Sequence, residues 1–464
     1  MKKTIVLFLI VLNQFNIAHA NQLIKPPKVD KRVELLSIVF KLAGNKEYNE
    51  VAIKDYANKV DKHFSPFNNH DVVLFAKELR QNKGISYDAV VSMAIVLDDD
   101  LNPLIDFSQT LPGKRWSKDD ATKFVKLLKD FYKETKYEKF FSECEPLFKE
   151  VEKRFSNVYD KLDLKWYQTF FGTNAEEDFN LFVSLGCGNH NYGPSYSLPN
   201  GKKKVFSLMG TWRTDDDGMP IYKEAEYLPV IIHEFAHSFV NPLNEKHNTE
   251  FEVSGTAIYK AVEYEMSRQQ AYGNWQIMLN EALVRASVIK YFIDHSESET
   301  KIQMMLNDES NKGFIWIKGL VAELKKYDNN RDKYPTLESY IPNLAASYKS
   351  FAEKITQFDT QRPKVETISE FNNNDTNVDS KIKTITITFD KALAGKGYSV
   401  NYGSKGKFAF PKLDNISYSN DNKSVVMEIQ LESNKEYQFV LTGKNFETEQ
   451  GVPLKTYEVN FKTQ

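Results

Sequence analysis

The stretch EAEYLPVIIHEFAHSFVN (224–241) decides the fold of the middle of this chain. Within it, His233, Glu234 and His237 form the pattern HExxH, set among apolar neighbours. Positions i and i+4 of a helix lie on one face, so both imidazoles can reach a single metal ion. We predict a helix here that stops at Asn241-Pro242, because proline opposes continuation of a helix.

The residue types in this motif favour zinc-dependent hydrolysis. Zinc binds neutral imidazole nitrogen, and a catalytic site keeps one position open for water. Glu234 follows the first histidine and is placed to take a proton from that water. The alternative is an exposed amphipathic helix with two accidental histidines, which the apolar neighbours Ile231 and Ile232 disfavour. We therefore predict Zn²⁺ as cofactor, His233 and His237 as its ligands, and Glu234 as the catalytic base.

A third zinc ligand must come from elsewhere, and we predict Glu281. It lies in NWQIMLNEALVRASVIKYFI (274–293), which has few other charged residues. A carboxylate in so apolar a helix needs a partner or a metal to offset its desolvation. A competing interpretation is that Glu281 simply pairs with Arg285 at i+4. The other acidic candidates after the motif are Glu245, Glu250, Glu252, Glu263 and Glu265.

Two further catalytic candidates, His190 and Tyr192, lie in the segment GNHNYGPSYSLPNG (188–201). It joins two predicted strands, FNLFVSLGCG (179–188) and KKVFSLMGTW (203–212). Zinc peptidases bind an extended substrate along an edge strand near the metal, by backbone pairing. A histidine or tyrosine on that segment would be placed to stabilise a developing oxyanion. The alternative, an ordinary loop histidine and a packed tyrosine, stays open.

Composition and periodicity divide the chain into four predicted segments. Residues 1–20 carry two lysines, an apolar run and a final AHA, as a signal peptide cleaved after Ala20 does. Residues 21–160 read as an N-terminal region of amphipathic helices. Residues 161–360 mix strands and helices around the motif. Residues 361–464 begin with an Asn-rich linker and continue with period-two strands.

Charge and cysteine content limit the partners of the protein. Its 61 basic and 63 acidic residues give a formal net charge of −2, without the basic excess that nucleic acid or an anionic membrane attracts. After the leader, no stretch is apolar enough to span a bilayer. We expect an exported protein that is periplasmic, cell-surface or secreted. Cys144 and Cys187 are the two cysteines, and whether they pair is open.

The segments HEFAHSFVNPL (233–243) and NEALVRA (280–286) together resemble a family of secreted bacterial proteins defined as a domain of unknown function. Members of that family are similar to gluzincin-type metallopeptidases. The resemblance covers roughly residues 160–350. It implies that the two motif histidines and Glu281 hold zinc and that Glu234 is the general base. The gap between the motif and Glu281 is longer than in thermolysin-like enzymes.

The end of the chain resembles a bacterial immunoglobulin-like domain of surface proteins. The matching pieces are ITITFDKAL (385–393), NKEYQFVLTG (434–443) and GVPLKTYEVNFKT (451–463). The resemblance implies a β-sandwich that offers a surface for contact with the cell envelope or a glycan. It says nothing about chemistry.

The predicted fold is α+β, with a helical N-terminal region, a zincin-like metallopeptidase core and a C-terminal Ig-like β-sandwich. The predicted function is that of an exported zinc metallopeptidase hydrolysing a peptide or protein substrate. The alternative is a cell-envelope binding protein with a degenerate zincin core that recognises its partner through the β-sandwich. The intact Glu234 argues against degeneracy, since binding has no need of a base. Amide or ester hydrolysis on glycopeptides or peptidoglycan would use the same centre and stays open.

Overall fold

The computed structural model describes residues 25–50, 52–174, 178–198 and 200–464. The predicted signal peptide lies outside these residues, so cleavage after Ala20 stays a prediction. Contacts within the chain divide it into two compact units, one up to Phe239 and one from Val240. The architecture is mixed α and β, as predicted, with a helical N-terminal region and C-terminal strands in sheets. The segment boundaries predicted at residues 160 and 360 remain predictions.

Amphipathic helices make up most of the first unit. In α5 (Lys118–Glu134) the Ser117 side chain caps the start by accepting from the Asp120 amide, and Phe124, Leu128 and Phe131 form a buried stripe. This spacing of three and four residues is the one that predicted the helix. The other α-helices before strand 178–183 of the sheet are α1 (Lys31–Leu42), α2 (Lys54–Phe64), α3 (Asp71–Lys83), α4 (Asp88–Ile95), α6 (Tyr137–Tyr159) and α7 (Leu164–Phe171).

The sheet of the first unit has the strand order β1-β2-β4-β3. Its strands are β1 (Lys28–Val29), β2 (Asp178–Val183), β3 (Ser195–Ser197) and β4 (Lys203–Met209). The first three in spatial order are parallel, whereas β3 runs antiparallel to β4 at the edge. Both long strands are almost wholly buried, which explains their continuous apolar runs. The sheet therefore ends in an antiparallel edge strand.

Helix α8 (Glu224–Lys246) carries the HExxH motif and is longer than the sequence predicts. The predicted stop at Asn241-Pro242 is wrong, because the helix continues for another turn. A proline removes a single backbone donor, the one for the carbonyl four residues earlier. The buried Asn244 stabilises the turn beyond it by donating to Asn280 Oδ1 at 2.8 Å.

After the last turns of α8, the second unit continues with five further α-helices and a π-helix. These are α9 (Asn248–Ala261), the π-helix Glu265–Gln269, α10 (Trp275–Asp294), α11 (Glu299–Asn311), α12 (Ile317–Asp328) and α13 (Ile341–Gln361). The π-helix interrupts the helical run between α9 and α10, whereas α10 matches the apolar helix predicted within 274–293. Asn274 caps α10 by accepting from the Ile277 amide at 2.9 Å. In the part of the chain that the structure describes, no helix has the length and apolar character needed to cross a membrane.

The C-terminal strands form two antiparallel sheets, β11-β10-β7 and β5-β6-β9-β8. Their bounds are β5 (Val365–Ile368), β6 (Thr384–Phe389), β7 (Val400–Asn401), β8 (Lys412–Tyr418), β9 (Ser424–Gln430), β10 (Glu436–Leu441) and β11 (Tyr457–Lys462). Buried residues of both sheets, such as Ile387, Met427 and Phe439, share one hydrophobic cluster. The predicted linker is partly ordered, since β5 lies within it.

The junction between α8 and α9 holds a cluster of ionisable side chains. His247 Nδ1 lies 3.0 Å from Glu250 Oε1, and its Nε2 lies 3.1 Å from Glu338 Oε1, which also contacts Lys246. Partial burial favours the neutral ring, but the two carboxylates outweigh it and raise the pKa of His247. The bond to His247 lowers the pKa of Glu250, and Lys246 and then His247 lower that of Glu338.

We expect this cluster to stabilise the fold most strongly in mildly acidic to neutral solution. A raised histidine pKa contributes stability that is lost as pH rises through the folded value, and lowered carboxylate pKa values contribute stability that is lost as pH falls through theirs. The thermal midpoint of the wild type should therefore decrease slightly between neutral pH and pH 9, and that of His247→Gln should lack this decrease. A midpoint curve identical to wild type over this range would contradict the assignment.

Candidate metal centre

Helix α8 presents its two histidines side by side. The Nε2 atoms of His233 and His237 are 3.2 Å apart, and both side chains are half-buried. A tetrahedral zinc ion with bonds of 2.0–2.1 Å holds two ligand atoms about 3.3–3.4 Å apart. The observed separation therefore fits two nitrogen ligands of one zinc ion.

The predicted third ligand belongs to the same cluster. Among the residues that the structure describes, candidate donor atoms of His233, His237 and Glu281 all lie within 4.8 Å of one another. Two nitrogens and one carboxylate oxygen are the donor set of many catalytic zinc sites. Two of the other acidic candidates have different partners, because Glu250 contacts His247 and Glu265 accepts from Thr456.

An aromatic cluster fixes the opposite face of α8. Phe235 is fully buried, and its ring centroid lies 4.5 Å from that of Tyr167 and 4.8 Å from that of Phe179. Phe239 stacks on Phe171 at 4.7 Å. The Tyr167 hydroxyl also donates to the Ile232 carbonyl at 3.0 Å. Rotation of the helix about its axis would break these contacts, so they hold the histidine face in place.

Glu234 lies against the segment that leads into the edge strand. A Cβ atom on Gly193 would stand 2.6 Å from Glu234 Oε2, so the carboxylate occupies the space that a side chain would take. The segment is held to β4 by reciprocal backbone bonds between Tyr192 and Leu208 and by the Phe206 amide donating to the Pro194 carbonyl. Gly193 is a site residue that the sequence interpretation missed, and the Gly-Pro step before a short strand was the available signal.

Gly193→Ala is expected to leave the fold intact and to lower any activity that depends on Glu234. The new methyl group meets the end of a flexible side chain rather than backbone, so Glu234 has to move. A displacement of this kind lowers turnover by up to ~10²-fold. The measurement is hydrolysis rate together with thermal midpoint. Gly113→Ala is the control, because its methyl group would only reach ordinary contact with Ser92; full activity in the Gly193 variant would contradict the placement.

His190 and Tyr192 lie near each other, with ring centroids 6.2 Å apart. His190 packs edge-on against Tyr87, whereas Tyr192 is buried and has a pKa raised by burial and then by Cys187 and Glu47. The Tyr192 hydroxyl has no hydrogen-bond partner among the described residues. The structure thus places the following residue, Gly193, against Glu234, and a catalytic role for His190 or Tyr192 stays a prediction.

A buried carboxylate, Glu34, anchors the turn after β2. It is fully buried and accepts from the Ser184 hydroxyl at 2.7 Å and from the amides of Leu185 and Gly186 at 2.9 and 3.0 Å. The Tyr56 hydroxyl supplies a further bond at 2.7 Å. Burial nevertheless raises the pKa of Glu34. This turn leads directly to the segment that contacts Glu234.

Cys187 lies in the same turn and does not pair with Cys144. Both are buried free thiols, which answers the question that the sequence left open. Ser37 Oγ lies 3.2 Å from Cys187 Sγ.

Glu281 pairs with Arg285, as the competing interpretation predicts, and also lies in the cluster with the two histidines. Its Oε2 accepts from the Tyr272 hydroxyl at 2.9 Å and lies 3.3 Å from Arg285 Nη2. A carboxylate has two oxygens and about four lone-pair positions, so pairing with Arg285 does not exclude metal binding. Burial, and then the Glu281 carboxylate, raise the pKa of Tyr272 to about 12, so its hydroxyl is a donor at neutral pH.

A family model described as a domain of unknown function, DUF4932, matches residues 27–347. The chain belongs to the DUF4932 family. The resemblance to a domain of unknown function is thereby confirmed, and the match begins well before the predicted residue 160. The DUF4932 region includes the helical N-terminal region, the first sheet, α8 and α10, and it ends within α13. The C-terminal sheets lie outside it.

Solved structures similar to this DUF4932 chain are S-layer proteins. A crystal structure of rSbsC(31-844) is 13% identical with a TM-score of 0.17, and the alignment covers 85% of this chain and 46% of that one. The N-terminal part of SbsC is 14% identical with a TM-score of 0.15, covering 54% and 60%. The chain thus spans about half the length of these structures, and TM-scores this low define neither fold nor function. No curated protein matches the chain.

Proposed function

We propose that this DUF4932 protein is an exported zinc-dependent metallopeptidase that hydrolyses peptide bonds. The observation that carries the proposal is the 3.2 Å separation of the His233 and His237 nitrogens, with a Glu281 oxygen within 4.8 Å of both. A binding protein would not need these three side chains together with Glu234 beside them. The export part of the proposal rests on the leader-like residues 1–20.

Two features of the fold support a zincin-like core and an Ig-like C-terminal domain. The sheet that precedes the motif helix α8 in the chain has an edge strand, β3, that is antiparallel to its neighbour. Gly193, just before β3, lies against the Glu234 carboxylate. An extended substrate could pair with such an edge by backbone hydrogen bonds. The C-terminal sheets of three and four antiparallel strands share one core, as the two sheets of an Ig-like sandwich do.

In the proposed mechanism, His233, His237 and Glu281 would hold zinc, which supplies Lewis-acid polarisation of the scissile carbonyl and of water. Glu234 takes the proton from the attacking water and delivers it to the leaving amine. The aromatic contacts of α8 keep the helix from rotating, so Glu234 and the histidines keep their positions during this proton transfer. The open side of β3 (Ser195–Ser197) aligns the substrate backbone beside Glu234.

The test is the metal content and peptidase activity of the purified protein. We expect one zinc per chain, cleavage of a mixed peptide library, loss of cleavage on chelation and recovery when Zn²⁺ is added. A protein that contains no stoichiometric zinc and instead binds cell-envelope material would favour the binding-protein alternative. A zinc protein that cleaves peptidoglycan amides but no peptide would overturn the proposed substrate class while keeping the metal site.

A further inference from the structure

The side chains around Glu281 form a connected polar group within the second unit. Tyr272 donates to Glu281 Oε2 at 2.9 Å, Arg285 Nη2 donates to the Tyr272 hydroxyl at 2.8 Å, and the same Nη2 lies 3.3 Å from Glu281 Oε2. The three groups thus form a closed triangle of hydrogen bonds. The Arg285 and Glu281 side chains are each only 13% exposed.

We propose that Tyr272 and Arg285 are positioning residues that hold Glu281 ready for the metal and thereby set the zinc affinity of the site. This inference rests on the proposed zinc centre. Two donors on one carboxylate oxygen restrict rotation of the carboxylate plane. The Glu281 side chain therefore loses less conformational entropy when the ion binds. Hydrogen bonds to an ionised group are among the stronger ones, particularly at low exposure.

Glu309 offsets the positive charge of Arg285, so that Arg285 does not cancel the negative charge of Glu281. Arg285 Nη1 donates to Glu309 Oε2 at 2.7 Å, and the Arg285 guanidinium lies 4.9 Å from the centre of the Phe314 ring. The Glu309 side chain is 15% exposed and also binds Lys312. Because Glu309 offsets the positive charge of Arg285, Glu281 can accept the Arg285 hydrogen bond and still offer a net negative charge to a cation.

The backbone of Tyr272 is held on both sides of the peptide unit. Its backbone amide donates to the Met266 carbonyl at 2.8 Å, and its carbonyl accepts from the Tyr259 hydroxyl at 2.9 Å. The segment follows the π-helix Glu265–Gln269, an element that often occurs at functional sites. Tyr272 is therefore anchored independently of Glu281, as a residue that orients another must be.

The test compares zinc affinity in the full-length wild type, Tyr272→Phe and Arg285→Gln, measured by competition with a chromogenic chelator. Loss of an outer-shell partner weakens metal binding by ~10–100-fold, and we expect this for each variant. The double variant should lose less than the product of the two effects, because both residues act on one carboxylate. Tyr264→Phe, which removes a half-buried hydroxyl from the same segment, is the matched control and should bind zinc like wild type.

The thermal midpoint of the metal-free proteins separates positioning from a structural role. A variant with lower metal-free stability but unchanged zinc affinity would show a merely structural role and would overturn the inference. Wild-type zinc affinity in Tyr272→Phe would overturn it as well, whatever the arginine variant does. A wild type that binds no zinc would contradict the proposed function itself. A wild type that binds zinc, with variants that bind it equally well, would contradict only the positioning role.

Discussion

Glu234→Gln is expected to reduce peptide hydrolysis by ~10²–10⁴-fold while zinc stays bound. Glutamine has nearly the same size and can still hydrogen-bond, but it cannot accept the proton of the attacking water. The three proposed ligands are untouched, so metal content should be unchanged. Little change in folding is expected, because no cavity is created. The measurement is turnover on peptides that the wild type cleaves, with zinc quantified in both proteins.

A control on the same helix makes this comparison specific. Glu245→Gln changes an exposed glutamate near the end of α8 and should leave both turnover and zinc content unchanged. If Glu234→Gln retains zinc and cleaves at the wild-type rate, Glu234 is not the base and the mechanism is wrong. Loss of zinc in this variant would instead assign Glu234 to the ligand set.

Glu281→Gln is expected to have the largest effect on metal binding. The substitution replaces a proposed anionic ligand by a neutral amide, while Arg285 keeps its bond to Glu309. The zinc affinity should fall by more than the ~100-fold that loss of an outer-shell residue costs. Equilibrium dialysis against buffered Zn²⁺ measures this directly.

Glu263→Gln is the matched control, because Glu263 is exposed and was an alternative ligand candidate. It should bind zinc like wild type. Unchanged affinity in Glu281→Gln would transfer the ligand role to one of the other acidic candidates. A weaker site in Glu263→Gln would identify Glu263 as that residue.

The parts of the structure that local patterns specify were predictable from the sequence. The amphipathic period of α5 and the spacing within HExxH follow from helical geometry, and the apolar runs of β2 and β4 follow from their burial. The strands β5 and β8 escaped prediction because both are edge strands of their sheet and bury few side chains. The period-two signal comes from burial on one face, and an edge strand carries little of it.

The neighbours of the candidate site were harder to predict, because they depend on the path of the chain. The contact of Gly193 with Glu234 requires the β3 segment to pass over α8, and no local pattern encodes that path. Tyr272 reaches Glu281 from the segment that follows the π-helix. The turn of α8 beyond Pro242 carries a tertiary contact, the Asn244–Asn280 bond, which no local pattern shows.

The anchoring of the β2 turn by Glu34 bears on how this protein could be processed. The sequence alone leaves open whether the N-terminal helical region is a propeptide that is removed. Here Glu34 bonds to Ser184 across 150 residues of chain, and β1 supplies a strand beside β2. Proteolytic loss of this region would leave the buried donors at 184–186 unsatisfied and uncover a strand of the sheet. We therefore expect the N-terminal helices to stay with the rest of the first unit, and their removal to destabilise it.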